Sequence, residues 1–152
     1  MDEAQIDRFS RSRLLFGEDF ARLQSAKILI CGCGGVGGAA IEALYRSGAV
    51  GLSAIDCDRF EITNQNRQLG SEHVGELKCE VFARKFKGVT PIAARIDEEF
   101  LSEFDLAQFD FVIDAIDDVG RLDPAKIEIR SIWQTQGDPL ARKIRSELRK
   151  RG

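Results

Sequence analysis

The sequence predicts an α/β fold with a mostly parallel sheet and helices on both faces. Residues 26–31 form a short, mostly apolar run, which is typical of a strand buried on both sides in a parallel sheet. Apolar residues with helical spacing follow from Gly35 to about Arg46, and a second strand pattern runs over residues 50–55. Strand, helix and strand within about 30 residues form a βαβ unit, whose two strands are parallel.

The composition limits the class of protein. The 152 residues are 43% apolar and 31% charged, which fits one folded domain over 1–152 and argues against disorder. No apolar run approaches the roughly 18 residues that a membrane-spanning helix needs. Residues 1–5 are acidic and lack the basic start and apolar stretch of a secretory signal, so we expect a cytoplasmic protein.

The remaining elements follow from periodicity and from turn residues. Apolar residues between Ile6 and Leu23 predict one or two short helices that cover other parts of the chain, with a break near Gly17. Gly48 is a plausible end for the helix that begins at Gly35. The later predicted elements are a helix over 75–86, strands over 89–96, 110–114 and 126–132, the last with one wet face at an edge or in an antiparallel pair, and a final helix opened by Asp138 and Pro139.

The spacing of the four cysteines argues against a zinc site, because no pair has the two-residue gap that zinc sites favour. We expect reduced core thiols at all four positions, and a spacer between glycines rather than a reactive group at the second of them. The cysteines are Cys31, Cys33, Cys57 and Cys79.

A glycine-rich segment stands between the first strand and the helix after it. Gly32-Cys33-Gly34-Gly35-Val36-Gly37 matches the Gly-x-Gly-x-x-Gly fingerprint of Rossmann-like nucleotide-binding folds, with one additional glycine. Backbone amides and the helix N-terminus there favour a phosphate group. Asp56 ends the second strand 19 residues after Gly37, where a carboxylate binds ribose hydroxyls. The pattern predicts a nucleotide site.

Charged side chains after Asp56 favour phosphate chemistry over hydride transfer. Arg67 and Lys78, with Asn64, could reach the phosphates of a bound nucleotide, and basic side chains stabilise charge that develops on phosphoryl oxygens. Asp117, just after the strand over 110–114, could hold Mg²⁺. This set indicates ATP chemistry.

Several motifs together resemble the adenylating enzymes of the ubiquitin-activating (E1-like) superfamily. Within it, the sequence is most similar to the tRNA threonylcarbamoyladenosine dehydratase family, whose resemblance also rests on segments 8–11 and 138–143. The superfamily motifs are Gly32–Gly37, Ile55-Asp56-Cys57-Asp58, Thr63-Asn64-Gln65-Asn66-Arg67-Gln68, Val74-Gly75-Glu76-Leu77-Lys78 and Ile113-Asp114-Ala115-Ile116-Asp117.

The resemblance implies an E1-like activating-enzyme fold and a reaction. ATP would adenylate the threonyl carboxylate of the modified adenosine at tRNA position 37, and an internal attack would close a ring and release AMP. The resemblance also implies a homodimer in which Arg11 enters the partner's ATP site. It assigns Gly32, Gly34, Gly35, Gly37, Asp56 and Asp58 to nucleotide binding, Asn64, Arg67 and Lys78 to the phosphates, Arg67 also to the leaving pyrophosphate, and Asp117 to Mg²⁺ and adenylation.

The C-terminal end carries the positive charge of the chain. Residues 140–152 sum to +5, which leaves −8 for the rest of a protein whose formal charge is −3. An acidic body repels tRNA, so phosphate contacts must be concentrated on this basic segment. We expect tRNA binding at Arg142, Lys143 and Arg145, although basic residues also suit a solvated helix C-terminus.

The chain also departs from the family pattern. Relatives have a further helix and strand after the Asp117 region, about 25 residues, and a C-terminal segment. We therefore expect that Val119 and Gly120 are not bonded neighbours in the complete protein, and that a C-terminal piece is absent. If 152 residues are complete, an impaired nucleotide-binding module becomes a serious alternative.

Two other functions stay open. One is adenylation of the C-terminal glycine of a ubiquitin-like sulfur carrier in a molybdopterin or thiamin pathway, which the absence of paired Cys-x-x-Cys motifs makes less favoured. The other is a NAD-binding oxidoreductase or a non-catalytic nucleotide-binding protein. Whether a sulfur-acceptor protein is a further partner also stays open.

Overall fold

The computed structural model describes residues 6–116, 131–134 and 139–151, and it contains a four-stranded parallel sheet with helices on both faces. The strand order is β3-β2-β1-β4, so the order reverses between β1 and β4. This arrangement confirms the predicted fold class. The elements are α1 (Ser10–Phe16), α2 (Asp19–Ser25), β1 (Lys27–Cys31), α3 (Gly35–Ser47), β2 (Gly51–Ile55), α4 (Lys78–Lys85), β3 (Thr90–Ile92), α5 (Glu98–Glu103), β4 (Phe111–Asp114) and α6 (Pro139–Arg151), with 3₁₀ segments at Ile62–Asn66, Leu106–Gln108 and Ile132–Gln134.

The central strand β1 supplies both halves of the core because successive side chains point to opposite faces. Ile28 and Ile30 belong to a cluster that includes residues of α3 and α4, such as Ile41 and Phe82. Leu29 and Cys31 belong to a second cluster on the other face, which also contains Ile55, Leu101 of α5 and Ile144 of α6. The apolar run in the sequence is therefore buried on both sides, as predicted.

The register places the ends of three strands at one edge of the sheet. Cys31 pairs with Ile55 of β2 and with Asp114 of β4, so the residues that follow these three positions emerge side by side. In open parallel sheets, ligands bind outside the carboxyl ends of the strands, at the point where the strand order reverses. The glycine-rich turn, Asp56 and Ala115 all lie at this edge.

Three elements differ from their predictions. Helix α4 begins at Lys78 rather than at residue 75, because Gly75 has a φ of +86° and Leu77 is extended and pairs with Arg59 in an antiparallel bridge. Strand β3 ends at Ile92 instead of residue 96. Of the strand predicted over 126–132, only the last two residues are described, and Ile132 begins a 3₁₀ segment. Helix α5 was not predicted, although Asp97 caps it by accepting a hydrogen bond from the Phe100 amide.

The N-terminal helices form, with the predicted break, but α1 leaves much of its apolar surface uncovered. The start of α1 is anchored at the C-terminal end of α3: Phe9 and Phe20 pack on Gly48, and the Arg8 guanidinium lies over the Tyr45 ring. Leu14 and Leu15 on α1 are 87% and 77% exposed. Among the described residues, the N-terminal helices therefore pack against the rest of the chain with only part of their apolar surface.

None of the helices in the described ranges is both long enough and apolar enough to cross a membrane. The predicted break between Val119 and Gly120 lies outside the described residues, as does the capping residue Asp138, whereas the final helix begins at Pro139 as predicted.

Candidate active site

Two glycines let helix α3 start directly against the sheet. Gly32 has a φ of +94°, and a Cβ there would lie 2.8 Å from the Ala115 carbonyl oxygen. A Cβ on Gly37 would lie 1.8 Å from the Gly32 carbonyl oxygen. Neither position has room for a side chain, so the first turn of α3 is held close to the ends of β1 and β4.

The other two glycines of the fingerprint have an open backbone. Gly34 is the N-cap of α3 and Gly35 is its first residue. A Cβ on Gly34 would meet only the Gln68 side chain at 3.9 Å, and one on Gly35 only Arg67, from 3.8 Å. The N-terminus of a 13-residue helix is therefore accessible to an anion beside an arginine.

The Asp56 carboxylate is built into the glycine-rich turn. Its Oδ2 accepts a hydrogen bond of 2.7 Å from the Cys33 amide, and its Oδ1 accepts one of 2.7 Å from the Asp58 amide. A carboxylate has about four lone-pair positions, so acceptor capacity remains for ribose hydroxyls. The sequence predicted the position of Asp56 but not its second role, which is to connect the ends of β1 and β2.

Lys78 and Asp58 form an ion pair at the start of α4. Lys78 is 7% exposed, and its Nζ lies 3.5 Å from Asp58 Oδ2, while Asp58 is 68% exposed. The Lys78 amide also donates to the Asp58 carbonyl oxygen at 3.0 Å. Asp58 thus lies where a bound nucleotide could compete for the ammonium group of Lys78.

Asn64 positions Arg67 through the 3₁₀ segment between β2 and α4. The Oδ1 of the buried Asn64 side chain accepts a hydrogen bond from the Glu61 amide at 3.0 Å. The backbone carbonyl oxygen of Asn64 accepts from the amides of Arg67 and Gln68. Arg67 is exposed, and its Nη1 donates to Asn66 Oδ1 at 2.9 Å. The Asn64 amide nitrogen is the part of this side chain that can donate to a phosphate, because Oδ1 only accepts hydrogen bonds.

Gln68 lies in the site although no role for it was predicted from the sequence. Its Nε2 lies closest to the position that a Gly34 Cβ would take, at 3.9 Å, and its Oε1 is buried without a hydrogen-bond partner among the described residues. A buried unpaired acceptor is costly, so it indicates a place where a bound group completes the arrangement. The available signal was its position directly after Arg67 in the motif.

The cysteines of the site are not nucleophiles. Burial raises the pKa of the Cys33 thiol far above its usual range, with the nearby Asp56 charge as a further cause, and burial raises that of Cys31 to about 12. Such thiols stay protonated at neutral pH, as expected for a spacer. The four cysteines are free, and three are buried. Cys57 is exposed, which corrects the prediction of four core thiols, because it lies in the loop beyond the end of β2.

Asp56 and Asp58 do not by themselves form a Mg²⁺ site. Asp56, Cys57 and Asp58 place potential ligand atoms within 4.8 Å of one another. However, both Asp56 oxygens accept amide hydrogen bonds, Asp58 pairs with Lys78, and a thiol is a poor ligand for a hard cation. Asp117, the predicted magnesium ligand, lies outside the described residues.

The structure does not bring Arg11 to the glycine-rich turn. The start of α1 is anchored at Tyr45 and Gly48, and α3 is roughly 20 Å long at 1.5 Å per residue. Arg13 pairs with Asp7 and holds the pKa of that carboxyl well below its usual range. Among the described residues, by contrast, no hydrogen bond or ion pair holds Arg11, which is exposed.

Arg142, Lys143 and Arg145 lie on α6. The Arg145 Nη1 donates to the Ile132 carbonyl oxygen at 3.1 Å. The other predicted residues come together at the ends of β1 and β2: Gly32, Gly34, Gly35, Gly37, Asp56, Asp58, Asn64, Arg67 and Lys78.

This geometry defines a Rossmann-like nucleotide-binding domain in which a lysine and an arginine face the phosphate-binding turn. The sequence profile described as the ThiF family matches residues 9–132. The chain belongs to the ThiF family.

Relatives and solved structures make the comparison more specific. The chain is 35% identical to a tRNA threonylcarbamoyladenosine dehydratase of Haemophilus influenzae, over 97% of this chain and 70% of the relative. It also resembles the solved structure of the Escherichia coli tRNA N6-threonylcarbamoyladenosine dehydratase in complex with ATP, with a TM-score of 0.72 and 31% identity over 93% of this chain and 72% of that one. A sulfur carrier protein adenylyltransferase of Thermus thermophilus is 29% identical over 90% of this chain and 52% of the relative.

Proposed function

We propose that this protein is an ATP-dependent tRNA threonylcarbamoyladenosine dehydratase. The observation that carries the proposal is the joint placement of the glycine-rich turn, Asp56, Arg67 and Lys78 in a chain that is similar, over nearly its whole length, to enzymes of that name. ATP is the nucleotide bound in the similar E. coli structure. Because the proposed substrate is a tRNA, we also propose that the reaction takes place in the cytoplasm.

The residues of the site would divide the work of binding ATP. The Asp56 carboxylate takes up ribose hydroxyls, and the open backbone of Gly34 and Gly35 receives the phosphates at the N-terminus of α3. Arg67 and Lys78 stabilise the charge that develops as pyrophosphate leaves. Asn64 keeps the loop that carries Arg67 in register and offers its amide nitrogen.

The chemical step activates a carboxylate that is otherwise unreactive. A carboxylate oxygen of the threonyl group attacks the α-phosphorus of ATP, the bond to the bridging oxygen breaks, and pyrophosphate leaves. The carbamoyl group of the same modified adenosine then attacks the acyl carbon of the adenylate and loses a proton to solvent. The bond from the acyl carbon to the AMP oxygen breaks, so the ring closes and AMP leaves with the former carboxylate oxygen. No protein nucleophile is needed, which agrees with the buried, protonated Cys33. We further propose that Asp117 holds Mg²⁺, which would neutralise phosphate charge when bound.

The proposed enzyme is a homodimer in which Arg11 acts in the partner's site. Arg11 is uncommitted within the described chain, and the exposed Leu14 and Leu15 supply apolar surface on the same helix. A second copy of the chain would bury that surface and receive the guanidinium group.

We also propose that the chain lacks an internal segment of the family domain, after the Asp117 region. Its alignment with the H. influenzae relative runs over 184 residues, although this chain has 152, so the relative has residues without a counterpart here. Sequencing of the full-length transcript tests this point directly, because its translation can be compared with the 152 residues.

Adenylation of a sulfur carrier's C-terminal glycine is the second candidate function, because the chain is also similar to a sulfur carrier protein adenylyltransferase. Under it, a sulfur-carrier or sulfur-acceptor protein replaces tRNA as the partner. Both functions use the same ATP site, so the nucleotide residues do not separate them.

The deciding experiment measures pyrophosphate release from ATP in the presence of three potential substrates, because both candidate functions release pyrophosphate. These are tRNA with threonylcarbamoyladenosine, the same tRNA without the modification, and a ubiquitin-like carrier ending in Gly-Gly. We expect stimulation by the modified tRNA alone, together with release of AMP and a mass loss of one water from the nucleoside. Stimulation by the carrier alone would support the second candidate, and no pyrophosphate release with any substrate would refute both.

A further inference from the structure

The only tryptophan of the sequence lies on the surface beside the basic helix. Trp133 is 53% exposed and belongs to the 3₁₀ segment Ile132–Gln134. The Arg149 guanidinium lies 5.8 Å from the centre of its ring, and Arg145 fixes the segment by donating to the Ile132 carbonyl oxygen. A large aromatic side chain is therefore held on α6 without being buried by it.

The neighbouring face of α6 is strongly positive and forms one side of an open groove. The groove has a volume of about 550 Å³, and its described lining residues are Arg142, Arg145, Ser146, Arg149 and Lys150. These described residues present four basic groups and one hydroxyl to an anionic chain placed there. Arg149 belongs to both features, because it lines the groove and contacts Trp133.

The apolar face of α6 connects this surface to the candidate active site. Ile144 packs in the same cluster as Cys31 and Ile55, the last residues of β1 and β2. The glycine-rich turn and Asp56 follow these two residues directly. The basic groove therefore lies on the helix that supports the ends of the strands from which the nucleotide site is built.

We propose that Trp133 and the groove on α6 form a binding site for single-stranded RNA, in which an unpaired base stacks on the indole ring and the adjoining phosphates bind in the groove. Aromatic rings bind unpaired bases by stacking, and arginine beside the ring adds a cation–π contribution. The loop of a tRNA offers both parts, a splayed base and closely spaced phosphates. This inference rests on the proposed function for the identity of the RNA, but not for the stacking.

The indole itself provides the first readout, because it is the chain's only tryptophan. Titration of the wild-type protein with a short oligoadenylate should quench its fluorescence saturably, and anisotropy of the labelled oligonucleotide should give the same affinity. An abasic oligonucleotide of the same length and charge should bind more weakly and leave the fluorescence nearly unchanged. Equal quenching by both, or oligoadenylate binding without quenching, would overturn the proposal.

Variants separate the stacking from the charge. Trp133→Ala should weaken oligoadenylate binding by about 5- to 100-fold with an unchanged salt dependence, and Trp133→Phe should recover most of the loss. Arg142→Ala with Lys150→Ala, both at residues that line the groove, should instead reduce the slope of log K against log salt concentration. An unchanged ATP affinity shows that the Trp133→Ala protein is folded. Equal oligoadenylate binding by this variant and by wild type would then contradict the proposal.

The result of these binding experiments does not depend on the result of the reaction assay. If modified tRNA stimulates AMP release and oligoadenylate does not quench Trp133, the proposed function stands and the stacking site is refuted. If quenching is observed and modified tRNA gives no turnover, the protein binds RNA and the proposed dehydratase activity is refuted.

Discussion

Lys78 begins helix α4 with its side chain buried, and both features oppose folding. A cation in the first turn of a helix is repelled by the partial positive charge of the free amides there. Burial of an ammonium group adds a desolvation cost, and the one described ion-pair partner, Asp58, is itself mostly exposed. A lysine placed at such cost is best explained by an anion that binds beside it.

Replacement of Lys78 by methionine should therefore separate stability from activity. We expect an unchanged or higher midpoint of thermal unfolding, because Asp58 stays solvated and the buried charge is gone. ATP-dependent AMP release should fall by about 10²- to 10³-fold, as when a charge-stabilising donor is removed from an active site. Lys85→Met, at the last residue of the same helix, is the matched control and should retain activity. A Lys78→Met protein that is clearly destabilised or fully active would contradict this interpretation.

At the same scale, the sequence predicts where a residue lies along the strands better than it predicts what the residue contacts. The spacing from Gly37 to Asp56 located the carboxylate correctly, since strand and helix lengths determine it. The hydrogen bond from the Cys33 amide to Asp56 was not predictable, because it depends on the register of β1 against β2. Gln68 was missed for the same reason: its approach to Gly34 is set by the 3₁₀ segment, and no periodicity records it.

At the scale of elements, helices α3 and α4 touch at a glycine. A Cβ on Gly38 would lie 2.6 Å from Cζ of Phe82, closer than real contacts allow. Phe82 is fully buried and packs against Phe60 and Phe86, so its ring has little freedom to move away. This contact matters for the site because α3 begins at the phosphate-binding turn and α4 begins at Lys78.

Gly38→Ala should accordingly destabilise the fold despite the better helix propensity of alanine. Overpacking costs about 1–3 kcal/mol and the propensity gain returns up to about 1, so we expect a net loss of about 1–2 kcal/mol in the free energy of unfolding. Urea denaturation measures it, with Ala39→Gly on the exposed side of α3 as the propensity control. In a double-mutant cycle, Phe82→Leu should cost less in the Gly38→Ala background than in wild type. A stabilised Gly38→Ala protein would show that the helices separate without cost.

The element predictions failed where the chain leaves regular periodicity. The prediction placed the start of α4 at residue 75, but the positive φ of Gly75 and the bridge between Arg59 and Leu77 take those residues into an extended turn. Strand β3 is short because it lies at the edge of the sheet, where Pro91 is tolerated but few partners extend the ladder. The central elements β1, α3 and β2 were predicted within one or two residues because burial on both sides determines their pattern.

At the scale of the whole molecule, the described chain leaves several large apolar side chains exposed. Leu14 and Leu15 are exposed on α1, and Phe111 and Val112 of β4, the last strand of the sheet among the described residues, are 58% and 40% exposed. The sequence predicted covered helices at the N-terminus because apolar spacing identifies a face that is buried, but it does not identify what buries it. A partner chain packed on α1 would cover Leu14 and Leu15. It would also give a role to Arg11, which does not lie at its own glycine-rich turn.

A mixing experiment tests this dimer through its active sites. If Arg11 acts in the partner's site, each site needs Lys78 from one chain and Arg11 from the other. Arg11→Ala and Lys78→Met should each be inactive alone as homodimers, because every site lacks one of the two groups. After subunit exchange, half of the dimers are mixed and each has one intact site, so AMP release with modified tRNA should recover to about a quarter of the wild-type rate. Mixing Arg11→Ala with Arg11→Ala/Lys78→Met is the matched control and should stay inactive, because no chain then supplies Arg11. Recovery in neither mixture, although mass measurements show exchanged dimers, would mean that Arg11 and Lys78 serve the same site from one chain or that Arg11 has another role.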